Sequence, residues 1–211
     1  MLSMPRTTPS RSRARTRSQD VEQNLLDAAE AVLAREGLAG VTVRAVAAEA
    51  GVAPMGVYNR FGSKDGLIEA LVMRSFDLLR EAVVEHGETD PLQRLRNSGQ
   101  RYREFALSHP QHYNVIFINN PGAHDGESSE VEEHARAAFE ALVDHVVYGI
   151  EAGALKPGDP VDLAQQIWST VHGAVSLELG QMVLTEDPAE TYEHLLDLLT
   201  AGLTYSASDR R

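Results

Sequence analysis

No cysteine occurs anywhere in the 211 residues. Its absence excludes disulfides, thiolate nucleophiles and cysteine-ligated zinc, and it fits a reducing cytoplasm. Long apolar runs are missing as well. Nothing reaches the roughly 20 residues that a membrane-spanning helix needs, and the N-terminus is polar and arginine-rich where a secretory signal would be apolar. The expectation is a soluble, unexported, cytoplasmic protein without a membrane partner. Basic charge is scarce, with 19 Lys and Arg against 31 Asp and Glu and a net charge of −12. The deficit is uneven. Residues 1–65 carry nine basic and seven acidic side chains, net +2, whereas the remainder carries ten and 24, net −14. A nucleic acid is therefore expected to meet only the N-terminal end.

The motifs of common chemistries are lacking too. Eight histidines are present, but His109 and His112 stand three apart across a proline, and His134 and His145 are too far apart to share a helix turn. None forms the His-Glu-x-x-His arrangement that gives zinc two ligands and a base, so surface or capping roles are expected. There is no Gly-x-Ser-x-Gly elbow and no Gly-x-Gly-x-x-Gly fingerprint. The stretch from Gly56 to Lys64 fails as a phosphate loop, because five residues separate its glycines and Lys64 follows Ser63 instead of preceding a Ser or Thr. Adjacent acids such as Glu132 and Glu133 point in diverging directions and read as a solvated face. No catalytic residue, metal site or cofactor is expected.

What is present is helical pattern almost throughout, with no strand and no internal repeat. Residues 1–19 hold five arginines among Ser, Thr and Pro, without an acid, and read as a disordered arm. That arm is either a solubilising tail or an electrostatic DNA arm. Asp20 caps an expected helix over 21–36, striped by Val21, Leu25, Ala28, Ala29, Val32 and Leu33 and ended by Gly37. Over 42–65 the pattern sharpens. Thr42 caps a short helix with Val43, Val46, Ala47 and Ala50 on one stripe, and Gly51 stops it. Pro54 suits the first turn of a second helix, which gives the turn of about four residues that a helix-turn-helix needs. Val52, Val57 and Phe61 are expected to face inward, leaving Met55, Gly56, Tyr58, Asn59 and Arg60 on an outer face that suits a DNA groove. Gly62 ends that helix, and Ser63 with Asp65 starts the next.

A long helix is expected from Ser63 to about His86, followed by a break at 87–91. Further helices are read from Pro91 to about Leu107, around His112 to Phe117, over 131–152, over 161–184 and over 189–205, with a mobile loop at 119–130. The organisation is thus an arm at 1–19, a three-helix domain at 20–65 and a larger helical domain at 66–211. In the larger domain Trp168 and His172 lie one turn apart on one helix face, followed by Gly173.

Residue for residue, Thr42, Arg44, Ala47, Ala50-Gly51-Val52, Val57-Tyr58, Phe61, Lys64-Asp65 and Leu67 resemble the DNA-binding domain of the tetracycline-repressor (TetR) family of bacterial regulators. Pro110, Tyr113, Phe117, Trp168, His172 and Gly173 resemble that family's effector domain with a Trp-His-Gly signature. Two departures stand out: Arg60 replaces the common His before the aromatic, and Ala53 the usual Ser or Thr before the recognition helix. The resemblance implies an all-α repressor, a homodimer through residues 161–205, released from a double-stranded DNA operator by a small organic effector. By the same resemblance, Arg44, Pro54, Met55 and Gly56 approach base edges, Tyr58, Arg60 and Lys64 hold phosphates, and Thr42 and Asn59 share that face. The implied pocket is lined by Tyr102, Phe105, Tyr113, Phe117, Phe139 and Trp168, with Gln165 and His172 as polar members; alternatively these aromatics fill a solid core. Val171, Val175, Leu179, Leu195, Leu199 and Leu203 are the expected dimer side chains. The rival class, an enzyme or carrier with a vestigial helix-turn-helix, would show turnover by the purified protein.

Overall fold

In the computed structural model of the chain, the described residues are 11–84, 87–117 and 130–205, and all regular structure among them is α-helical. The outer part of the arm and the loop expected near 119–130 thus lie outside them, apart from Glu130. Packing divides the chain into two compact units within its fourth helix, between Leu71 and Val72.

The first unit holds α1 (Arg11–Gly40), α2 (Val43–Glu49), α3 (Pro54–Phe61) and the start of α4 (Lys64–Val83). Helix α1 begins ten residues before the expected position, which corrects the reading of 11–19 as disordered. Its cause is composition: no Pro or Gly occurs between Pro9 and Gly37, while Arg, Ala and Gln are good helix formers. At Gly37 the backbone turns to a φ of 68°, kinking the helix at the expected stop. Leu25, Ala28, Ala29, Val32 and Leu33 are buried, and α1 packs on α2 and α2 on α3. Each fully buried Leu or Val contributes about 1.5–3 kcal/mol relative to exposure. Thr42 caps α2 as expected, its hydroxyl accepting from the Ala45 amide at 3.1 Å. Ala53 precedes α3 with no side-chain cap, and Pro54 fills the first position, where a missing amide hydrogen costs nothing. Ser63 Oγ accepts from the Gly66 amide at 3.0 Å and so starts α4.

The second unit continues α4 and adds α5 (Pro91–Ser108), α6 (Pro110–Phe117), α7 (Glu130–Glu151), α8 (Pro160–Leu179) and α9 (Pro188–Leu203). Helices α5, α8 and α9 share one start: an Asp whose carboxylate accepts backbone amides, followed at once by Pro. Around α5 pack α6, α7, α8 and α9. Leu95, Val146, Leu155, Ala164 and Ile167 form a buried cluster there. Gly99 lets α9 come close, because a Cβ at that position would meet Leu196 Cδ2 at 2.9 Å. Tyr192 donates to the Gly99 carbonyl at 2.8 Å, and Arg96 pairs with Glu193 at 2.6 Å and with Asp197.

Several expectations need correcting. Val52 is 42% exposed, since it sits in the turn; of that trio only Val57 is buried, and Phe61 is half-buried. Val171 and Val175 are buried within their own chain, so they belong to its core and not to a dimer face. His112 and His145 are buried instead of superficial. Each has internal partners: Ser75 Oγ lies 2.8 Å from His112 Nδ1, while Arg94 Nε donates to His145 Nδ1 at 3.0 Å and His145 Nε2 donates to the Val83 carbonyl at 3.1 Å.

Candidate nucleic-acid interface and effector cavity

Gly51, at φ 67°, turns the chain from α2 into α3, and Gly62, at φ 73°, turns it out again. Both are left-handed conformations that glycine adopts without a Cβ penalty. Helix α3 therefore stands as a short, defined rod that buries Val57. Pro54, Met55, Tyr58, Asn59 and Arg60 lie exposed along its other side; Gly56 is half-buried. Met55 at 64% and Tyr58 at 47% are unusually open for large apolar side chains. Thr42, Arg44 and Lys64 are exposed as well. Arg60 differs from the simple picture of a waiting phosphate ligand, because it forms an ion pair with Glu22 of α1. Glu22 lies 38 positions earlier in the chain, so no local pattern could have revealed it.

In the second unit a cavity of about 320 Å³ opens among the middle helices. Helix α4 supplies Phe76, Leu79 and Val83, α5 supplies Tyr102, and α6 supplies Ile116 and Phe117. The other wall consists of Ala135, Ala138, Phe139 and Leu142 from α7 with Gln165 and Trp168 from α8. Five of the eight expected lining residues are thus brought together: Tyr102, Phe117, Phe139, Gln165 and Trp168. Phe105 is not among the wall residues and stacks on His109, with ring centroids 5.4 Å apart. Tyr113 and His172 stand just behind the wall. Their rings stack at 5.6 Å, and each approaches Phe117, at 4.8 and 4.7 Å. The α4 contribution went unpredicted, although Phe76, Leu79 and Val83 recur at the three- and four-residue spacing of one helix face.

One polar cluster borders this apolar space. The hydroxyls of Tyr102 and Tyr113 each lie 2.9 Å from His172 Nδ1, Tyr113 also lies 3.0 Å from Ser176 Oγ, and Trp168 Nε1 donates to the Tyr102 hydroxyl at 3.4 Å. Burial lowers the pKa of His172 and so favours the neutral imidazole. Burial also raises both phenols, keeping their protons in place as donors. Among the described residues no cluster of His, Asp or Glu is placed to hold a metal ion.

Family models match in both units. Residues 25–71 match the model described as bacterial regulatory proteins of the tetR family, and residues 95–199 match the tetracyclin repressor-like C-terminal domain. Together these cover well over half of the sequence. The chain belongs to the TetR family of bacterial regulators. It is 26% identical over 184 residues to an uncharacterised HTH-type transcriptional regulator, YvkB, of Bacillus subtilis, covering 86% of this chain and 96% of that protein. It is 29% identical over 144 residues to the HTH-type transcriptional repressor KstR2 of Mycobacterium tuberculosis, covering 66% of this chain and 71% of that protein. A solved structure of a protein of unknown function from Rhodococcus sp. RHA1 superposes with a TM-score of 0.77 at 28% identity, covering 88% of this chain and 95% of that one. A TetR-family regulator from Pectobacterium atrosepticum shares the fold, with a TM-score of 0.70 at 22% identity over 91% of this chain and 98% of that one.

As a TetR-family member the protein is a DNA-binding transcriptional regulator and not an enzyme. The N-terminal match spans Thr42 to Lys64, and the C-terminal match takes in every cavity residue from Tyr102 to Trp168. No helix among the described residues is long and apolar enough to cross a membrane.

Proposed function

We propose that this protein is a cytoplasmic repressor that binds an operator as a homodimer and leaves it when a small organic effector enters the second unit. One observation carries the reading: the helix that begins at Lys64, on the exposed polar face, continues unbroken to Val83 and supplies Phe76, Leu79 and Val83 to the cavity wall. A ligand that repositions those side chains acts directly on α4. Its effect on operator affinity is limited to its differential affinity for the two states. The similarity to a protein named as a repressor supports the sign of regulation.

On the DNA side, Arg44 with Pro54, Met55 and Gly56 is assigned to base edges, and Tyr58, Arg60 and Lys64 to phosphates; Thr42 and Asn59 flank them. Support comes from their exposure and from the match of this segment to the family model. Arg60 must exchange Glu22 for a phosphate oxygen to play this part. For the dimer, the exposed large apolar side chains of residues 161–205 are Val161, Leu177, Met182, Leu184, Leu198 and Tyr205. A two-fold axis would place the same patch on both subunits, and two recognition helices one or more DNA turns apart. Trp168, His172 and Gly173 are read as the signature of a Trp-His-Gly effector domain, consistent with Trp168 in the wall and His172 behind it.

The test is a mobility-shift titration on DNA flanking the protein's own gene, repeated with candidate effectors while Trp168, the single tryptophan, reports occupancy. Specific binding that weakens as the tryptophan signal changes is expected. Absence of any sequence-specific shift would refute the operator assignment.

A further inference from the structure

The cavity wall has a chemical bias that narrows its ligand. Among the described residues none of its lining side chains is charged, and hydrogen-bonding side chains come only from Tyr102, Trp168 and Gln165. A carboxylate or ammonium placed among Phe76, Phe117 and Phe139 would lose its water and find no counter-charge there. The ligand portion inside is therefore neutral.

The polar edge adds a direction. An indole N–H only donates, and that of Trp168 reaches the Tyr102 oxygen at 3.4 Å, well beyond the usual distance near 2.9–3.0 Å for such a bond. It is weakly engaged. The Tyr102 hydroxyl is in a different position, because it shares one acceptor. A neutral imidazole has a single ring-nitrogen lone pair, yet two phenols lie at 2.9 Å from His172 Nδ1. While Tyr102 donates to His172, Tyr113 donates to Ser176 Oγ, 3.0 Å away. If Tyr102 turns its proton elsewhere, Tyr113 takes over His172, and the Ser176 hydroxyl remains able to donate. The proton of Tyr102 is thus releasable toward the cavity without leaving the imidazole unpaired.

We propose that the effector is an uncharged, largely apolar molecule carrying one hydrogen-bond acceptor oxygen, such as a ketone, which accepts hydrogen bonds from the Tyr102 hydroxyl and the Trp168 indole N–H at the polar edge of the cavity. Tyr102 then acts as the specificity-determining residue and Tyr113 as its relief partner at His172. This inference rests on the reading of the cavity as an effector site and names the ligand class for it.

The test uses three probes of one shape: benzophenone, diphenylmethane in which a methylene replaces the carbonyl, and 4-benzoylbenzoate, which adds a negative charge. Binding to the full chain is measured by titration calorimetry. Wild type is expected to prefer benzophenone over diphenylmethane by about two- to tenfold, the ratio corresponding to one net hydrogen bond, and to bind the benzoate much more weakly. Tyr102→Phe should keep its affinity for diphenylmethane and lose the preference for the ketone. Tyr113→Phe should reduce the preference in part, because His172 then has no second donor. Equal binding of ketone and hydrocarbon by wild type overturns the acceptor assignment while leaving an effector cavity standing. A preference that survives in Tyr102→Phe overturns the role of that hydroxyl. Failure of both neutral probes to bind wild type overturns the cavity reading itself, and the ligand class falls with it.

Discussion

At Gly56 stability and function can be separated by a single substitution. It is the third residue of an eight-residue helix and is not among the glycines with positive φ, so alanine is conformationally allowed. A Cβ built there would meet Val52 Cγ2 at 3.6 Å and Val52 Cβ at 3.8 Å, ordinary van der Waals contact without overlap. Gly56→Ala should therefore stabilise α3 by about 0.5–1 kcal/mol through the lower backbone entropy of the unfolded chain. A gain of about 1 kcal/mol raises Tm by roughly 4–8 °C if the first unit melts alone, and by roughly 2–4 °C if the chain melts as one. Glycine at this position thus costs stability. On the proposed reading it persists because the helix backbone approaches base edges there, where a methyl group would hold the helix off. DNA affinity should then fall about tenfold or more, the scale of one lost base contact.

Gly66 serves as the control. A Cβ there would lie 2.2 Å from the Phe61 carbonyl oxygen, a backbone atom that no rotamer change can move. Gly66→Ala should destabilise by at least about 1–3 kcal/mol. Thermal melts and mobility shifts on both variants separate the cases. A lower Tm for Gly56→Ala would refute the spatial argument, and a higher Tm with unchanged affinity would remove Gly56 from the DNA interface.

Arg44→Ala should cost about 1–3 kcal/mol of operator binding and relax sequence preference, whereas Lys64→Ala should weaken all sequences alike and flatten the salt slope by about one; indistinguishable losses would refute the division of roles. Leu198 is 76% exposed, so Leu198→Glu should leave the monomer folded while shifting sedimentation from dimer to monomer at micromolar concentration; an unchanged dimer would take Leu198 out of the interface. Because burial lowers the pKa of His172, the unfolded chain binds the extra proton first, and stability should fall as pH drops below about 6.5, its unfolded value, until the folded pKa is reached. Melts of wild type and His172→Asn between pH 5 and 8 should converge at the acid end, and parallel curves would exclude His172 as the source.

Local signals in the chain were legible to the level of single residues. Thr42, Gly51, Pro54, Gly62 and Ser63 each act through their own backbone geometry, which the neighbouring sequence fixes, and each stands where its chemistry placed it. Periodicity was less complete, since it reports that a helix face is apolar but not what covers it. Val171 and Val175 are expected at a dimer interface from their apolar spacing, and burial by their own chain assigns them to the core instead. Pairings across long separations left no local trace. Glu22 with Arg60, Ser75 with His112 and Arg94 with His145 are complementary only once the helices are assembled. The cavity wall lies between these extremes: its aromatics could be named only through the family resemblance, which implies a pocket among the middle helices, and the three residues from α4 required knowing that this helix borders the space.

Helix α8 ties the proposals together through its own geometry. Ala164, Ile167, Val171 and Val175 form a buried row at spacings of three and four. A second row, Gln165, Trp168, His172 and Ser176, begins in the cavity wall and runs into the polar cluster behind it. A third, Gln166, Thr170, Gly173 and Leu177, is exposed along its length. Three rows on one rigid rod cannot turn independently. If the exposed row meets a second subunit, a ligand that displaces Trp168 or draws on the Tyr102 proton moves the surface on which the dimer rests. Leu177→Ala should then alter the ligand concentration needed to release DNA without altering the ketone preference measured in the cavity. A change in that preference instead would mean that Leu177 acts by distorting the pocket and not through the dimer.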